Sequence, residues 1–305
     1  MVIPAFKSSE TLADLVARVR TVLEPITPAF EILLVNDGSN DATWATIVDL
    51  AAADSAVRGF DLMRNYGQHN ALLCGIRSCK NPITVTLDDD LQHPPEEIPK
   101  LLAKLEEGFD VAYGTPAIEH HGLLRTLASR FTKLALGTSM GVETAQKVSA
   151  FRAFRTELRD AFSAYRGPFV SIDVLLTWAS KRFTSVAVEH RPRSGGVSNY
   201  TVGRLMAHAL NMMTGFSTLP LQLASWIGFG FTVLGMLVFG FVLGRYLMEG
   251  GSVPGFPFLA SIIVIFSGAQ LFALGIIGEY LARMHFRLMD RPAYVVRSVA
   301  GSEDG

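Results

Sequence analysis

Apolar and polar positions alternate in blocks along the first part of the chain. Phe30–Asn36 (FEILLVN) is a short apolar run ending in Asp-Gly-Ser, and Phe60–Met63 is a second. Pro82–Leu87 (PITVTL) is a third, ending in three aspartates, and Phe109–Tyr113 is a fourth. The opening Met1-Val2-Ile3-Pro4 also reads as a strand. Between these runs, Ser9–Leu23, Ala42–Ala53, His69–Cys79 and Pro95–Glu107 carry helical patterns. Strands alternating with helices of about 10–15 residues predict βαβ units and a mostly parallel sheet. Ligands of such sheets bind outside the carboxyl ends of the strands, so polar residues just past a strand are where chemistry is sought.

Further along, the pattern changes character. From Leu205 to Gly244 no residue carries a fixed charge, and none does from Gly250 to Gly278. A span needs about 20 apolar residues, which predicts one near Leu221–Tyr246 and another near Phe258–Ala282. The intervening Glu249–Pro257 has no Lys or Arg, whereas Lys181, Arg182, Arg191, Arg193 and Arg204 precede the spans and Arg283, Arg287, Arg291 and Arg297 follow them. The positive-inside rule then puts both flanks, and the large domain, in the cytosol. Thr201–Phe216 mixes polar and apolar residues and reads equally as an interfacial helix or as an extension of the first span. The expected organisation is a cytosolic domain over 1–200, a juxtamembrane amphipathic helix over 201–219, a transmembrane hairpin over 220–282 and a cytosolic tail over 283–305.

Composition sharpens this division. The 305 residues are 18% charged, with a mean hydropathy of +0.30. Ala209–Ala282 holds only three charged residues, so the remainder is about 22% charged, near the soluble norm of about 25%. That excludes disordered and disulfide-scaffold classes. A net charge of −1 argues against a nucleic-acid partner. Cys74 and Cys79 lack a zinc-ligand spacing and read as reduced core thiols. No basic region followed by an apolar run opens the chain, so no signal peptide is expected.

Three strand ends carry chemistry. Asp37 sits at a strand exit in Asn36-Asp37-Gly38-Ser39, where a plain Asp-Gly turn is the competing reading. Arg64–Asn70 is a polar loop opening a helix, or simply a loop with its N-cap. Asp88, Asp89 and Asp90 lie together at a buried strand's end. Like charges so close repel unless a cation neutralises them, and a hard divalent ion shared with substrate phosphates suits one or two carboxylates; a solvated acidic turn is the competing reading.

The run IPAF, VNDGS, RNYGQHNA, DDDLQHPPEEIP and GIIGEYLARM resembles the family-2 glycosyltransferases that act on polyprenyl phosphates. These include the bactoprenol glucosyltransferases, the formamido-arabinose transferase of lipid A modification and, more distantly, dolichyl-phosphate mannose synthase. The resemblance implies a glycosyltransferase A-type α/β fold with two C-terminal transmembrane helices. It implies inverting transfer from a UDP- or GDP-linked sugar to undecaprenyl phosphate, with Mg²⁺ or Mn²⁺. By position, Pro4, Ala5 and Phe6 would line the nucleoside, with Asp37 on the base and Asp88 and Asp89 also on the nucleotide. Asp88, Asp90 and Gln92 would be catalytic, with Asp90 and Gln92 at the metal. Arg191, Arg193 and Ser198 would face the donor diphosphate.

An anionic polyprenyl phosphate needs no general base, unlike a sugar hydroxyl; it needs cations that hold two phosphate groups together. Arg125, Ser129 and Arg130 on Leu123–Leu136 match the acceptor-phosphate helix of the look-alikes, and a solvated basic face is the alternative. The look-alikes assemble as tetramers, which implies a homo-oligomer. The chain departs from the family pattern at Lys7-Ser8 (usually Asn-Glu), Asp89 (often Ala), Thr115-Pro116 (no Arg) and Asn199 (usually Lys). The departures at Lys7, Ser8, Thr115 and Asn199 leave open a nucleotide-sugar-binding subunit without catalysis. A processive polysaccharide synthase is the remaining rival, but Gln222–Trp226 lacks the Gln-x-x-Arg-Trp motif. Glu279 is expected to pair with Arg283 at i+4.

Overall fold

The computed structural model describes residues 1–116, 148–167, 170–191, 219–249 and 255–301. They divide into two compact units: Met1–Ala209 with Asp290–Gly305, and Leu210–Met289. The expected helix Leu123–Leu136, with Arg125, Ser129 and Arg130, lies outside the described residues, as do Arg193, Ser198 and Thr201–Phe216.

The first unit is built on an eight-stranded sheet. Its elements are β1 (Val2–Ala5), α1 (Leu12–Leu23), β2 (Ile32–Asn36), α2 (Thr43–Ala53), β3 (Val57–Leu62), α3 (Gln68–Ser78), β4 (Ile83–Thr86), α4 (Ile98–Glu106), β5 (Val111–Pro116), β6 (Arg152–Arg155), α5 (Ile172–Ala179), β7 (Phe183–Val188) and β8 (Val296–Ala300). A 3₁₀ turn at Pro95–Glu97 leads into α4, and a second at Thr156–Phe162 follows β6. The strand order is β7-β5-β6-β4-β1-β2-β3-β8. The sheet is mixed: β6 runs against β4 and β5, and β8 against β3, while β1, β2, β3 and β4 are mutually parallel and β7 is parallel to β5.

Burial on both faces explains why the central strands read as continuous apolar runs. Along β2, Ile32 and Leu34 join one core while Leu33 and Val35 join the other. Leu12, Leu15, Val16, Val19 and Leu23 place one face of α1 in the first core at helical spacing. Ala71–Ile76 of α3 fill the second, with Ile172, Leu175 and Leu176 of α5.

Two features depart from the expected pattern. The sheet has its two antiparallel strands, and the tail after the apolar helices is not a free extension: it returns as β8, pairing Gly59 with Ala300 and Phe60 with Val299.

The second unit contains α6 (Leu219–Glu249) and α7 (Phe256–Leu288). Among the described residues one helix, Pro220–Arg245, is long and apolar enough to cross a membrane. The two helices pack through Phe231 and Phe266, edge to face at 5.7 Å. At Gly235 an added Cβ would meet the Phe266 ring at 2.8 Å, so glycine permits this approach. Glu279 and Arg283 pair at 2.6 Å.

Candidate active site

The carboxyl ends of β1, β2 and β4, neighbours in the sheet, deliver Phe6, Asp37 and Asp88–Asp90 to one edge. Backbone strain marks this edge. Lys7 (φ 58°) and Leu91 (φ 59°) adopt the left-handed conformation without being glycine, a cost of about 1–3 kcal/mol each that surrounding contacts must hold.

Asp37 is 3% exposed. Its Oδ1 accepts the Tyr66 N–H at 2.7 Å and its Oδ2 accepts the Gly67 N–H at 2.9 Å. Burial pushes its pKa above the ordinary carboxylate value, and the two backbone donors pull it back. Asp37, the residue expected at a nucleotide base, also holds the loop that opens α3 with both its oxygens. The next residue of that loop, Gln68, donates from Nε2 to Asp88 Oδ1 at 2.5 Å. One loop is thus fastened to the β2 exit and to the β4 exit, on either side of β1.

Asp89 does different work. Its Oδ2 accepts the Phe6 N–H at 3.1 Å and the Ser8 hydroxyl. Burial raises its pKa, Ser8 and the Phe6 N–H lower it, and neighbouring Asp90 adds to the rise. The Ser8 N–H in turn donates to Thr43 Oγ1 at 2.9 Å. Two departures from the family pattern, Ser8 and Asp89, therefore meet and join the β1 exit to the β4 exit. Asp90 Oδ1 accepts the Gln92 N–H at 3.1 Å, closing a tight turn. The Gln92 carbonyl accepts the Arg191 N–H at 2.8 Å.

The site residues predicted from sequence and described here, Pro4, Ala5, Phe6, Asp37, Asp88, Asp89, Asp90 and Gln92, come to this edge. Arg191 arrives through its backbone, while its side chain pairs with Glu189 at 2.9 Å. Among the described residues no three His, Cys, Asp or Glu side chains form a metal cluster. The Asp90 carboxylate and the Gln92 amide are nevertheless hard oxygen donors, which suits an ion that completes its shell with substrate phosphates and water.

Two groups at this site have no signal in the sequence. His93 lies 4.9 Å from His190 and 5.5 Å from Phe151, ring centre to ring centre. Burial, with His190 adding to it, lowers its pKa to about 4, so the imidazole is neutral. Arg152, 1% exposed, pairs with Asp173 and donates from Nε to Thr86 Oγ1 at 3.1 Å, and the Tyr113 hydroxyl donates to the same Asp173 at 3.1 Å. This buried network underlies the end of β4 from which the aspartates project.

Residues 1–165 match the model of "Glycosyl transferase family 2", more than half of the chain. The chain belongs to glycosyltransferase family 2. Curated relatives extend the likeness over nearly its whole length. The undecaprenyl-phosphate 4-deoxy-4-formamido-L-arabinose transferase of Pseudomonas fluorescens (strain SBW25) is 34% identical, covering 98% of this chain and 89% of that protein. Its namesake from Pseudomonas syringae pv. syringae (strain B728a) is also 34% identical, covering 99% and 90%. Among solved structures, glucosyl-3-phosphoglycerate synthase from Mycobacterium tuberculosis aligns with a TM-score of 0.52 at 18% identity, covering 70% of this chain and 75% of that one. Mannosyl-3-phosphoglycerate synthase from Rubrobacter xylanophilus aligns with a TM-score of 0.51 at 16% identity, covering 70% and 71%. These two share the glycosyltransferase α/β fold, and this family-2 member is an enzyme of the transferase class.

Proposed function

We propose that this enzyme transfers one sugar from a UDP- or GDP-linked donor to undecaprenyl phosphate at the cytosolic face of a bacterial plasma membrane. The observation that carries the reading is the convergence of Asp37, Asp88, Asp89 and Asp90 at the carboxyl edge of β1, β2 and β4, in a chain whose likeness to undecaprenyl-phosphate sugar transferases spans 98% of its length.

The chemistry follows from the charges. An acceptor phosphate oxygen, already anionic, attacks the anomeric carbon from the face opposite the leaving group. The carbon–oxygen bond to the nucleoside diphosphate breaks, that oxygen keeps the electron pair, and the anomeric configuration inverts. No carboxylate has to remove a proton. Asp90 and Gln92 are the residues that would hold Mg²⁺ or Mn²⁺, which supplies Lewis-acid neutralisation of the departing diphosphate. Asp89 fixes the strand exits beneath them. Phe6, 44% exposed, offers a ring beside the nucleoside, and the Asp37-held loop closes the other side. Arg193 and Ser198 would face the donor diphosphate; Arg125, Ser129 and Arg130 would grip the acceptor phosphate. Assembly as a homo-oligomer belongs to the same reading.

The reading includes a two-span hairpin, α6 and α7, with both flanks cytosolic. The β3–β8 ladder supports it. Strands that pair lie on the same side of a membrane, so an even number of crossings separates them.

The test is a donor screen. Purified full-length protein is given undecaprenyl phosphate, Mg²⁺ or Mn²⁺, and a panel of UDP- and GDP-sugars headed by the UDP-linked form of the relatives' formamido-arabinose. Mass spectrometry of the lipid should find one added sugar. No glycolipid with any donor would overturn the assignment; donor binding without turnover points to a non-catalytic subunit, and polymer to a processive synthase. Asp90→Asn should lower kcat by about 10²–10³-fold with the fold intact, and full activity in that variant would remove Asp90 from the metal site.

A further inference from the structure

The strand that follows the membrane helices carries an arginine with no part in the mechanism above. Arg297 of β8 pairs through Nη1 with Asp61 Oδ2 at 3.2 Å and donates through Nη2 to the Met63 carbonyl at 2.7 Å. Asp61, at the end of β3, is 2% exposed. Its other oxygen accepts the Asn36 Nδ2 at 2.7 Å. Asn36 Oδ1 accepts the Ser39 N–H at 3.2 Å, and Ser39 Oγ accepts the Lys7 N–H at 3.0 Å. An unbroken series of polar contacts therefore runs from the tail to the strand exits that frame the donor site.

The second branch of the fork is shorter. Met63 immediately precedes the loop that Asp37 and Asp88 hold. Its N–H donates to the Val295 carbonyl at 2.9 Å while its own carbonyl takes the Arg297 donor. The tail thus grips this loop at its root. A planar guanidinium can serve a carboxylate and a carbonyl at once, which a lysine ammonium on a flexible stem does less well. Asp61 also depends on it: removing the cation from a buried carboxylate leaves an uncompensated charge, and here that charge is hydrogen-bonded directly to Asn36, at the end of β2.

We propose that Arg297 is a positioning residue for the donor nucleotide, setting the turn at 36–39 and the loop at 63–68 from the far end of the chain. The inference rests on the reading that these two segments surround the donor's nucleoside. It assigns the tail a task beyond completing a sheet edge: the segment that leaves the membrane hairpin also shapes the pocket that reads the donor.

The test uses full-length protein in detergent. Calorimetric titration with UDP and with GDP, each with Mn²⁺, is run on wild type, Arg297→Gln, Arg297→Lys and the double variant Asp61→Asn/Arg297→Gln, beside steady-state kinetics with the active donor. Arg297→Gln should weaken nucleotide binding and raise donor KM about tenfold, with kcat and acceptor KM within about twofold of wild type. Arg297→Lys, which keeps the charge and loses the fork, should fall between. The double variant, with no buried charge left to pair, should recover part of the loss. Unchanged nucleotide affinity in a folded Arg297→Gln overturns the proposal. So do equal losses in donor KM, acceptor KM and kcat accompanied by a lower Tm, since that pattern marks a purely structural arginine. If Arg297→Gln does not fold, wild-type affinity in Arg297→Lys overturns it equally. Wild type that binds neither nucleotide overturns the donor-site reading itself, a result distinct from any failure confined to the variants.

Discussion

Asp37 and Gly38 show how much a two-residue turn carries. Asp37 spends both oxygens on the N–H groups of Tyr66 and Gly67, and Gly38 lets that loop come close. Gly38 has φ 63°, and a Cβ there would lie 2.2 Å from the Arg64 carbonyl carbon. Backbone cannot swing aside as the end of a side chain can. Gly38→Ala should therefore cost about 1–3 kcal/mol in stability and weaken UDP or GDP binding, measured by thermal melting and calorimetry; wild-type affinity in that variant would show that the two loops do not need this contact. At this scale the sequence was legible where charges cluster. Three adjacent aspartates at a buried strand's end were legible as a position, and they come to the carboxyl edge of the sheet. Asp37 was legible as a position but not as a role, because an Asp-Gly turn looks the same whether its carboxylate meets a ligand or a neighbouring loop. The Ser8–Asp89 contact was illegible: its partners are 81 residues apart, and either residue alone reads as a surface polar group.

Among the elements, the strands that sequence patterning identified are those buried on both faces. Of the three it missed, β7 (FTSVAV) is only half-buried, and β6 (RAFR) and β8 (VRSVA) interrupt their apolar residues with arginine. Periodicity scores such a segment as loop, since it cannot show that Arg152 will find Asp173 or that Arg297 will find Asp61. The amino edge of the sheet, opposite the acidic loop, is closed by a similar device. Asp110 precedes β5; its carboxylate accepts the Ser180 hydroxyl at 2.5 Å and two Arg182 donors at 2.7 and 3.0 Å, with Arg155 at 3.4 Å. Burial alone would raise its pKa, but the Arg182 and Ser180 hydrogen bonds and the nearby Arg155 outweigh it and hold the value below the ordinary one. A depressed carboxylate contributes its stability above the unfolded pKa of about 3.9, and loses it as the pH falls through the lower folded value. Asp110→Asn should thus destabilise the protein by about 1–3 kcal/mol at pH 6. Denaturant midpoints should converge with wild type as the pH drops below about 3.9. Donor KM should stay put, because this edge is remote from the strand exits. A gap that persists or widens in acid would assign the stabilisation to something other than the ionised carboxylate.

For the molecule as a whole, the decisive element is the tail. Hydropathy predicted a two-span hairpin, and the charged flanks on either side of an uncharged loop predicted both ends on one face of the membrane. Hydrogen bonding adds an independent constraint: β8 shares a ladder with β3, and backbone pairs of that kind cannot form across a bilayer. If α6 crosses, the chain must cross again before Val296, and among the described residues that follow α6 the 33-residue α7 is long enough to do it. Thiol labelling tests this cleanly because the native cysteines are silent. Cys74 and Cys79 are buried, and burial pushes the Cys74 thiol up to about 12 and the Cys79 thiol upward as well, leaving negligible thiolate to react. Ser252→Cys, between the two helices in sequence, should react with a membrane-impermeant maleimide from outside intact spheroplasts. Ser302→Cys, just past β8, should react only in inside-out vesicles. Labelling of Ser302→Cys from outside would break the even count and detach the tail from the catalytic sheet. Labelling of Ser252→Cys only from inside would leave the hairpin uncrossed, so that the apolar helices lie against the membrane or one another and the lipid phosphate must reach the site by another route.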